Sequence, residues 1–357
     1  MNIEKYFLII LILMLMCCNS PGIGDDQSSL CRQFPDVLNY TGIPSDSSDR
    51  SVYIFSDRGA WQGYALPDSI HLGSFVGPFL MTMKNGSWLS TCLSKIVLRD
   101  NDSKSMINLD EAVIIEKSSY PDQLLQKILV KDLNIELISR LTFLSNRSAI
   151  IHIEIENLDE SEEKDLNVSW EGSRMLKESS FSFFNNQVQI LFNDREHRGL
   201  IQWSNSDVQA TISDSTYHLD EGSIIIPNGG KWSTTITHTF CFSTEEMEQE
   251  LHLLKDALNN PQKTFDINEE IWDEKISRTL RVINPQFNSN SYHRIAVKCL
   301  QTLNNNWRSK AGFLEHDGLF PSYNYEWFHG FWAWDSWKHA VAIAHYDEEL
   351  AKEQIRA

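Results

Sequence analysis

The stretch Lys231-Trp-Ser-Thr-Thr-Ile-Thr-His-Thr-Phe-Cys-Phe242-Ser-Thr-Glu-Glu246-Met-Glu-Gln-Glu-Leu251 changes its hydrophobic period halfway along. Up to Phe242 the period is two: Trp232, Thr234, Ile236, His238 and Phe240 fall on one side, as in a strand. From Ser243 the period becomes helical. A hydroxyl at Ser243 with Glu246 three residues on is a capping-box signature. Met247, Leu251, Leu254 and Leu258 then recur at helical spacing. A β-rich unit therefore ends near 242 and a helical one begins.

Upstream, the same two-residue period runs from about residue 90. Ile151, Ile153 and Ile155 alternate with His152, Glu154 and Glu156, and Leu133, Ile135 and Leu137 alternate with Asn134 and Glu136. Val188, Ile190 and Phe192 mark another strand, and Pro227-Asn-Gly-Gly230 is a turn. Short alternating strands between turns predict an antiparallel β-sandwich over 36–242 with one solvated face. In Asp57-Arg-Gly-Ala-Trp61-Gln-Gly-Tyr-Ala-Leu-Pro67 the glycines and proline put Trp61 on a loop or edge strand. There it serves as a ligand platform or, the commoner use, as cover for a core edge.

Downstream, a second helix runs from Phe265 to Val282 and is closed by Ile283-Asn-Pro285, giving a helical linker over 243–290. A third starts near Ser291, with Ile295, Ala296, Cys299, Leu300 and Leu303 on one face and Asn304-Asn-Asn306 as its terminator. Ser336–His345 and the segment from Asp347 read as further helices.

The chain has 357 residues, enough for two domains, and a net charge of −18 from 31 basic and 49 acidic residues. With no Lys/Arg block, nucleic acid is excluded as the main partner. The N-terminus runs apolar from Tyr6 to Cys18, too short for a bilayer span but suited to a signal peptide at 1–18. Leu15-Met-Cys-Cys18 resembles a bacterial lipoprotein signal, which implies export to the periplasm or cell surface and membrane anchoring through a lipidated Cys18. Residues 19–35 are polar and turn-rich and are expected to be a flexible tether. Cys31, Cys92, Cys241 and Cys299 show no Cys-x-x-Cys spacing, so no zinc site is expected; disulfides and buried thiols both remain open.

The site candidate lies near the C-terminus, in Trp327-Phe-His-Gly-Phe-Trp332-Ala-Trp334-Asp335-Ser-Trp337-Lys338-His339. Indole faces beside a single carboxylate suit a polyhydroxylated ligand: sugar C–H faces stack on the rings and hydroxyls donate to the acid. Trp327, Trp332, Trp334, Asp335, Trp337 and Lys338 are the substrate-binding candidates. Asp335 is also placed to be a helix N-cap, the lesser of its two readings and compatible with the first, since one oxygen can cap while the other faces a ligand. Lys338 and His339, three and four residues on, are expected on its face.

Val297-Lys-Cys-Leu-Gln-Thr-Leu-Asn-Asn-Asn-Trp307-Arg308, Phe331-Trp-Ala-Trp-Asp335-Ser-Trp-Lys338 and Ala351-Lys-Glu-Gln-Ile-Arg356 resemble the bacterial glucosidases of glycoside hydrolase family 63. Leu38-Asn-Tyr-Thr-Gly-Ile-Pro44 and Gly59-Ala-Trp61-Gln-Gly-Tyr-Ala-Leu-Pro67 are similar to their N-terminal segment. The resemblance implies a sandwich, a helical linker and, over 291–357, the first part of a truncated (α/α)6 barrel. It also implies inverting hydrolysis of α-glucosidic bonds by a pair of carboxyl groups ~6.5–9.5 Å apart. In the family that pair and the calcium loop come later in the barrel. No catalytic residue, metal site or cofactor is therefore assigned to this chain; the pair is expected downstream of Ala357, with a separately encoded C-terminal remainder as a further partner. Asp335 matches the acid that holds the sugar through its hydroxyls, with an oligosaccharide as substrate. The alternative reading is a non-catalytic carbohydrate-binding or surface-interaction β-sandwich.

Overall fold

Strand Ser148–Asn157 sits in the middle of an antiparallel sheet, and its neighbours show how the fold is layered. In the computed structural model, which describes residues 29–82, 86–194, 197–205 and 208–357 (Glu326 by its backbone only), this sheet has eight strands. Their order is 179–184, 187–192, 198–203, 231–241, 148–157, 135–143, 124–130 and 113–119. A second, four-stranded sheet has the order 209–212, 216–226, 164–173 and 95–100. Ile151, Ile153 and Ile155 of the large sheet and Val168, Trp170 and Leu219 of the small one are buried in a single core. The alternation read from sequence thus fills the space between two layers.

One strand switches phase midway. In Thr216–Ile226, Tyr217, Leu219 and Glu221 point inward, the register shifts between Asp220 and Gly222, and beyond the shift Ile226 is buried while Ile225 faces out. Gly222 makes this bulge possible: its φ of 92° lies in the region that side chains disfavour, and its N–H donates to Asp220 Oδ1 at 2.8 Å. The inward Glu221 accepts from Trp170 Nε1 at 2.8 Å and from Thr234 Oγ1 at 3.0 Å, tying the small sheet to the large one. Burial raises its pKa. A second polar pin is His238. Its Nε2 bonds Ser94 Oγ at 2.9 Å and its Nδ1 bonds Tyr64 OH at 3.3 Å, while Ser94 Oγ also meets Tyr217 OH at 2.8 Å. Burial brings the His238 pKa down to about 3, so the ring is neutral in the fold.

The sequence predicts one solvated sheet face, but the outer face of the large sheet is partly covered. Helices α1 (Thr244–Asn259) and α2 (Pro261–Arg281) lie across it. Ile150, on that outer face, is buried against Ala257 and Phe265. Burying side chains of this size stabilises by roughly 1.5–3 kcal/mol each. Ser243 caps α1 as its spacing predicts, accepting from Glu246 N at 3.2 Å. The return bond from Glu246 goes one residue further back, to Phe242 N at 2.8 Å.

Helices α3 (Asn290–Asn306), α4 (Ala333–Ile343) and α5 (Glu348–Arg356) follow. Trp272 and Ile276 of α2, Val297 and Leu300 of α3, Ile343 of α4 and Leu350 of α5 form a second core. No described helix is long and apolar enough to cross a membrane.

The signal peptide at 1–18, Cys18 and residues 19–28 lie outside the described residues. The remainder of the expected tether, 29–35, is docked. A short turn at Leu30–Gln33 sits on α2, where Asp273 accepts from Ser29 Oγ at 2.9 Å, Leu30 N at 3.1 Å and Cys31 N at 2.8 Å. Arg32 adds ion pairs to Asp122 and Glu269 at 2.8 and 3.0 Å. The polar composition read as a tether is a set of capping and pairing groups. Cys31, Cys92, Cys241 and Cys299 are all free thiols, the first three buried. Burial raises the pKa of Cys92 to about 11 and of Cys241 to about 12.

Candidate functional site

The β-rich and helical parts meet along a seam of buried polar groups. Asp57 reaches across from the 57–61 loop: its Oδ2 accepts from Trp272 Nε1 at 2.9 Å and its Oδ1 from Asn304 Nδ2 at 2.7 Å. Lys275 Nζ donates to Asn304 Oδ1 at 3.0 Å and lies over the rings of Trp272 and Trp307. Asn305 accepts from Ser56 N at 2.8 Å and donates to Ile54 O at 2.6 Å. Arg58 Nε donates to Asn268 Oδ1 at 2.7 Å, and Asn268 in turn donates to Phe143 O at 2.7 Å. Apart from the contacts of Lys275, each of these hydrogen bonds joins residues more than a hundred positions apart.

Local sequence shapes the seam. Arg58 and Gly59 have φ of 56° and 70°, a left-handed pair that folds the loop tightly. A Cβ at Gly59 would stand 2.8 Å from Ser309 N, so only glycine allows this approach. Trp61 covers a core edge: its Nε1 donates to Ser309 O at 2.9 Å and its ring meets Phe242 and Phe320 edge-on. Arg308 is wholly buried, donating to Asn305 O at 2.7 Å and to Trp307 O. Burial lowers its pKa to about 9. Asn304-Asn-Asn306, which the sequence shows as a helix terminator, supplies two buried connectors. Three successive amides at the end of an apolar helix face were the available signal.

The aromatic stretch is built differently. Trp327 lies in the turn Glu326–Phe328 and is 69% exposed. Trp332 is the residue before α4 and meets Phe328 edge-on at 5.7 Å, while Phe328 also touches Tyr325 at 5.3 Å. Trp334 and Trp337, 61% and 63% exposed, stand on the open side of α4, opposite buried Ala340 and Ile343. Among the described residues no other aromatic ring packs on them. The stretch is thus two surfaces: a ladder at 325–332 and a ridge on α4.

Asp335 is not the N-cap. The helix opens at Ala333, so Asp335 falls in its first turn and no side chain caps Trp332. Its carboxylate, half-buried, has no hydrogen-bond partner among the described residues. A free carboxylate there is favoured by the helix dipole. His339 shares its face as the spacing predicts. Burial lowers the His339 pKa against the opposing pull of Asp335, and its Nδ1 is buried without a partner. Lys338 goes elsewhere: its Nζ sits 4.6 Å above the Trp334 ring. Among the described residues no cluster of His, Cys, Asp or Glu could hold a metal ion.

Residues 41–190 match the family model for the N-terminal domain of glucosidase YgjK. Two solved structures share the fold over most of the chain. One is a protein assigned as a kojibiose phosphorylase from the human microbiome, with TM-score 0.58 and 10% identity, covering 87% of this chain and 46% of that one. The other is a bacterial glucoamylase complexed with acarbose, with TM-score 0.51 and 11% identity, covering 89% of this chain and 50% of that one. At such identities the likeness is one of fold. The chain spans about half the length of these structures, and its N-terminal 41–190 segment is similar to a glycoside hydrolase domain.

Proposed function

We propose that the chain is part of a glycoside hydrolase acting on α-glucosidic oligosaccharides, with the 327–338 stretch as a sugar-binding wall. The observation that carries this reading is the match of 41–190 to the N-terminal domain of a glucosidase. A similar fold in a glucoamylase that binds acarbose supports the substrate class. Asp335 accepts from sugar hydroxyls, and Trp332, Trp334 and Trp337 offer faces for stacking, with Trp327 and Lys338 at the rim.

The finer assignment is to family 63, with inversion, a sandwich over 36–242, a linker over 243–290 and the start of an (α/α)6 barrel over 291–357. In this reading the catalytic carboxyl pair is supplied by sequence outside 1–357. Export and anchoring through Cys18 complete it, and replacing Cys18 by Ser should move the protein from the membrane to the soluble fraction.

The test is direct. Purified 1–357 should bind a malto-oligosaccharide in a calorimetric titration, lose that binding in Asp335→Ala, and hydrolyse no α-glucoside. Turnover by the pure chain removes the missing-pair element. Binding that survives Asp335→Ala removes the site.

A further inference from the structure

A cleft of about 440 Å³ opens where the β-rich part meets α3, and none of Trp327, Trp332, Trp334, Asp335, Trp337 or Lys338 lines it. We propose that it is a second saccharide site, which takes a neutral hexose unit stacked on Tyr53. Its volume falls in the range of about 300–1,000 Å³ usual for small-molecule pockets.

The walls are fixed before any ligand arrives. Asn305 holds Ser56 N and Ile54 O, and Tyr323 OH accepts from Ile54 N at 3.0 Å, so the 53–56 segment and α3 cannot slide apart. Tyr40 and Tyr323 are buried beneath the cleft. Tyr53 lies between Val52 and Ile54, which are both buried in the core, and is itself 54% exposed at the cleft.

The polar lining selects the ligand. The protein carries a net charge of −18, yet among the described residues no Asp or Glu lines this cleft. The Lys298 ammonium and the Asn324 amide have no partner among the described residues, and Asn39 uses only its oxygen, accepting from Thr41 N at 3.0 Å. Two amides and one ammonium around an open phenol ring supply donors and acceptors to hydroxyls and a face to C–H groups. A lining without acid or clustered cations excludes metal and phosphate groups as its main ligand. The assignment stands independently of Asp335.

The experiment is ligand-observed NMR and calorimetry of the full chain with maltotriose, for wild type, Tyr53→Ala, Tyr53→Phe and Asp335→Ala. Two binding sites are expected in the wild type, with one lost in Tyr53→Ala, retained in Tyr53→Phe, and the other lost in Asp335→Ala. The Tyr53→Ala loss at its site should be about tenfold or more in affinity. A single site abolished by Asp335→Ala and untouched by Tyr53→Ala overturns the cleft and leaves the proposed function standing. A single site abolished by Tyr53→Ala alone supports the cleft and overturns the proposed wall. Absence of all binding overturns both, and uptake of glucuronate in place of maltotriose at Tyr53 overturns the neutral-sugar assignment.

Discussion

The 57–61 loop and the 327–338 stretch have similar ingredients, an acid beside tryptophan and a cation, and opposite environments. Around Asp57 each oxygen is met, by Trp272 and by Asn304, and Trp61 gives its N–H to Ser309. Around Asp335 the carboxylate lacks a partner among the described residues, and Trp334 and Trp337 face outward. Groups that have satisfied one another hold the fold. Groups that remain free are left to hold something else, and large exposed aromatic surface on a folded chain is the usual mark of a binding face.

The largest test of this contrast is Asp57→Ala. It leaves the Trp272 and Asn304 donors buried without an acceptor and should cost about 3 kcal/mol in denaturant unfolding. Asp335→Ala should change stability by under about 0.5 kcal/mol. Equal losses from the two would erase the distinction.

The next effect is pH-dependent and comes from His238. Its pKa is about 3 in the fold against an ordinary value of 6.5. The unfolded chain therefore binds the extra proton, and stability is full above pH 6.5 and falls as pH drops from 6.5 toward 3. The slope is about 1.4 kcal/mol per pH unit, or about 2 kcal/mol by pH 5. The difference between wild-type and His238→Gln unfolding curves isolates this contribution; parallel curves across pH 5–7 would show that the ring is not held neutral.

A smaller loss is expected at the junction. Ser243→Ala removes the α1 cap and should cost about 1 kcal/mol, read as a lowered unfolding midpoint. The smallest is Trp334→Ala. It should leave the midpoint within about 0.5 kcal/mol while reducing oligosaccharide binding, since the ring covers no core.

Sequence reading located the change of architecture at 242–243 because period and cap are local properties, and Ser243 behaves as its spacing predicts. It did not show that Ile150 is covered on the outer sheet face, because alternation says which residues share a face and nothing about what lies on it. It offers Asp335 as a cap beside its ligand-holding role because a carboxylate is a usual opener of a helix. Here the chain enters α4 from Trp332, with no polar cap at all. Lys338 was expected beside Asp335, but its stem reaches the Trp334 face one turn back, where the ring attracts the ammonium. The seam escaped notice because its partners, such as Asp57 with Trp272 and Asn304, are joined only by the completed fold.

That separation sets an order of events. Asp57 and Asn304 are 247 positions apart, and Trp61 reaches Ser309 across 248. Contacts of such span form late, since the entropy of closing the intervening chain is lost before the contacts return anything. During synthesis the β-rich part is complete while Asn304 is still to be made. The 57–61 loop then emerges with Asp57, buried in the finished fold, and the half-buried Trp61 indole both facing water. Until the third helix arrives, the nascent chain displays a surface that the finished molecule never shows, and a chaperone that reads uncovered indole and aliphatic groups would meet it there.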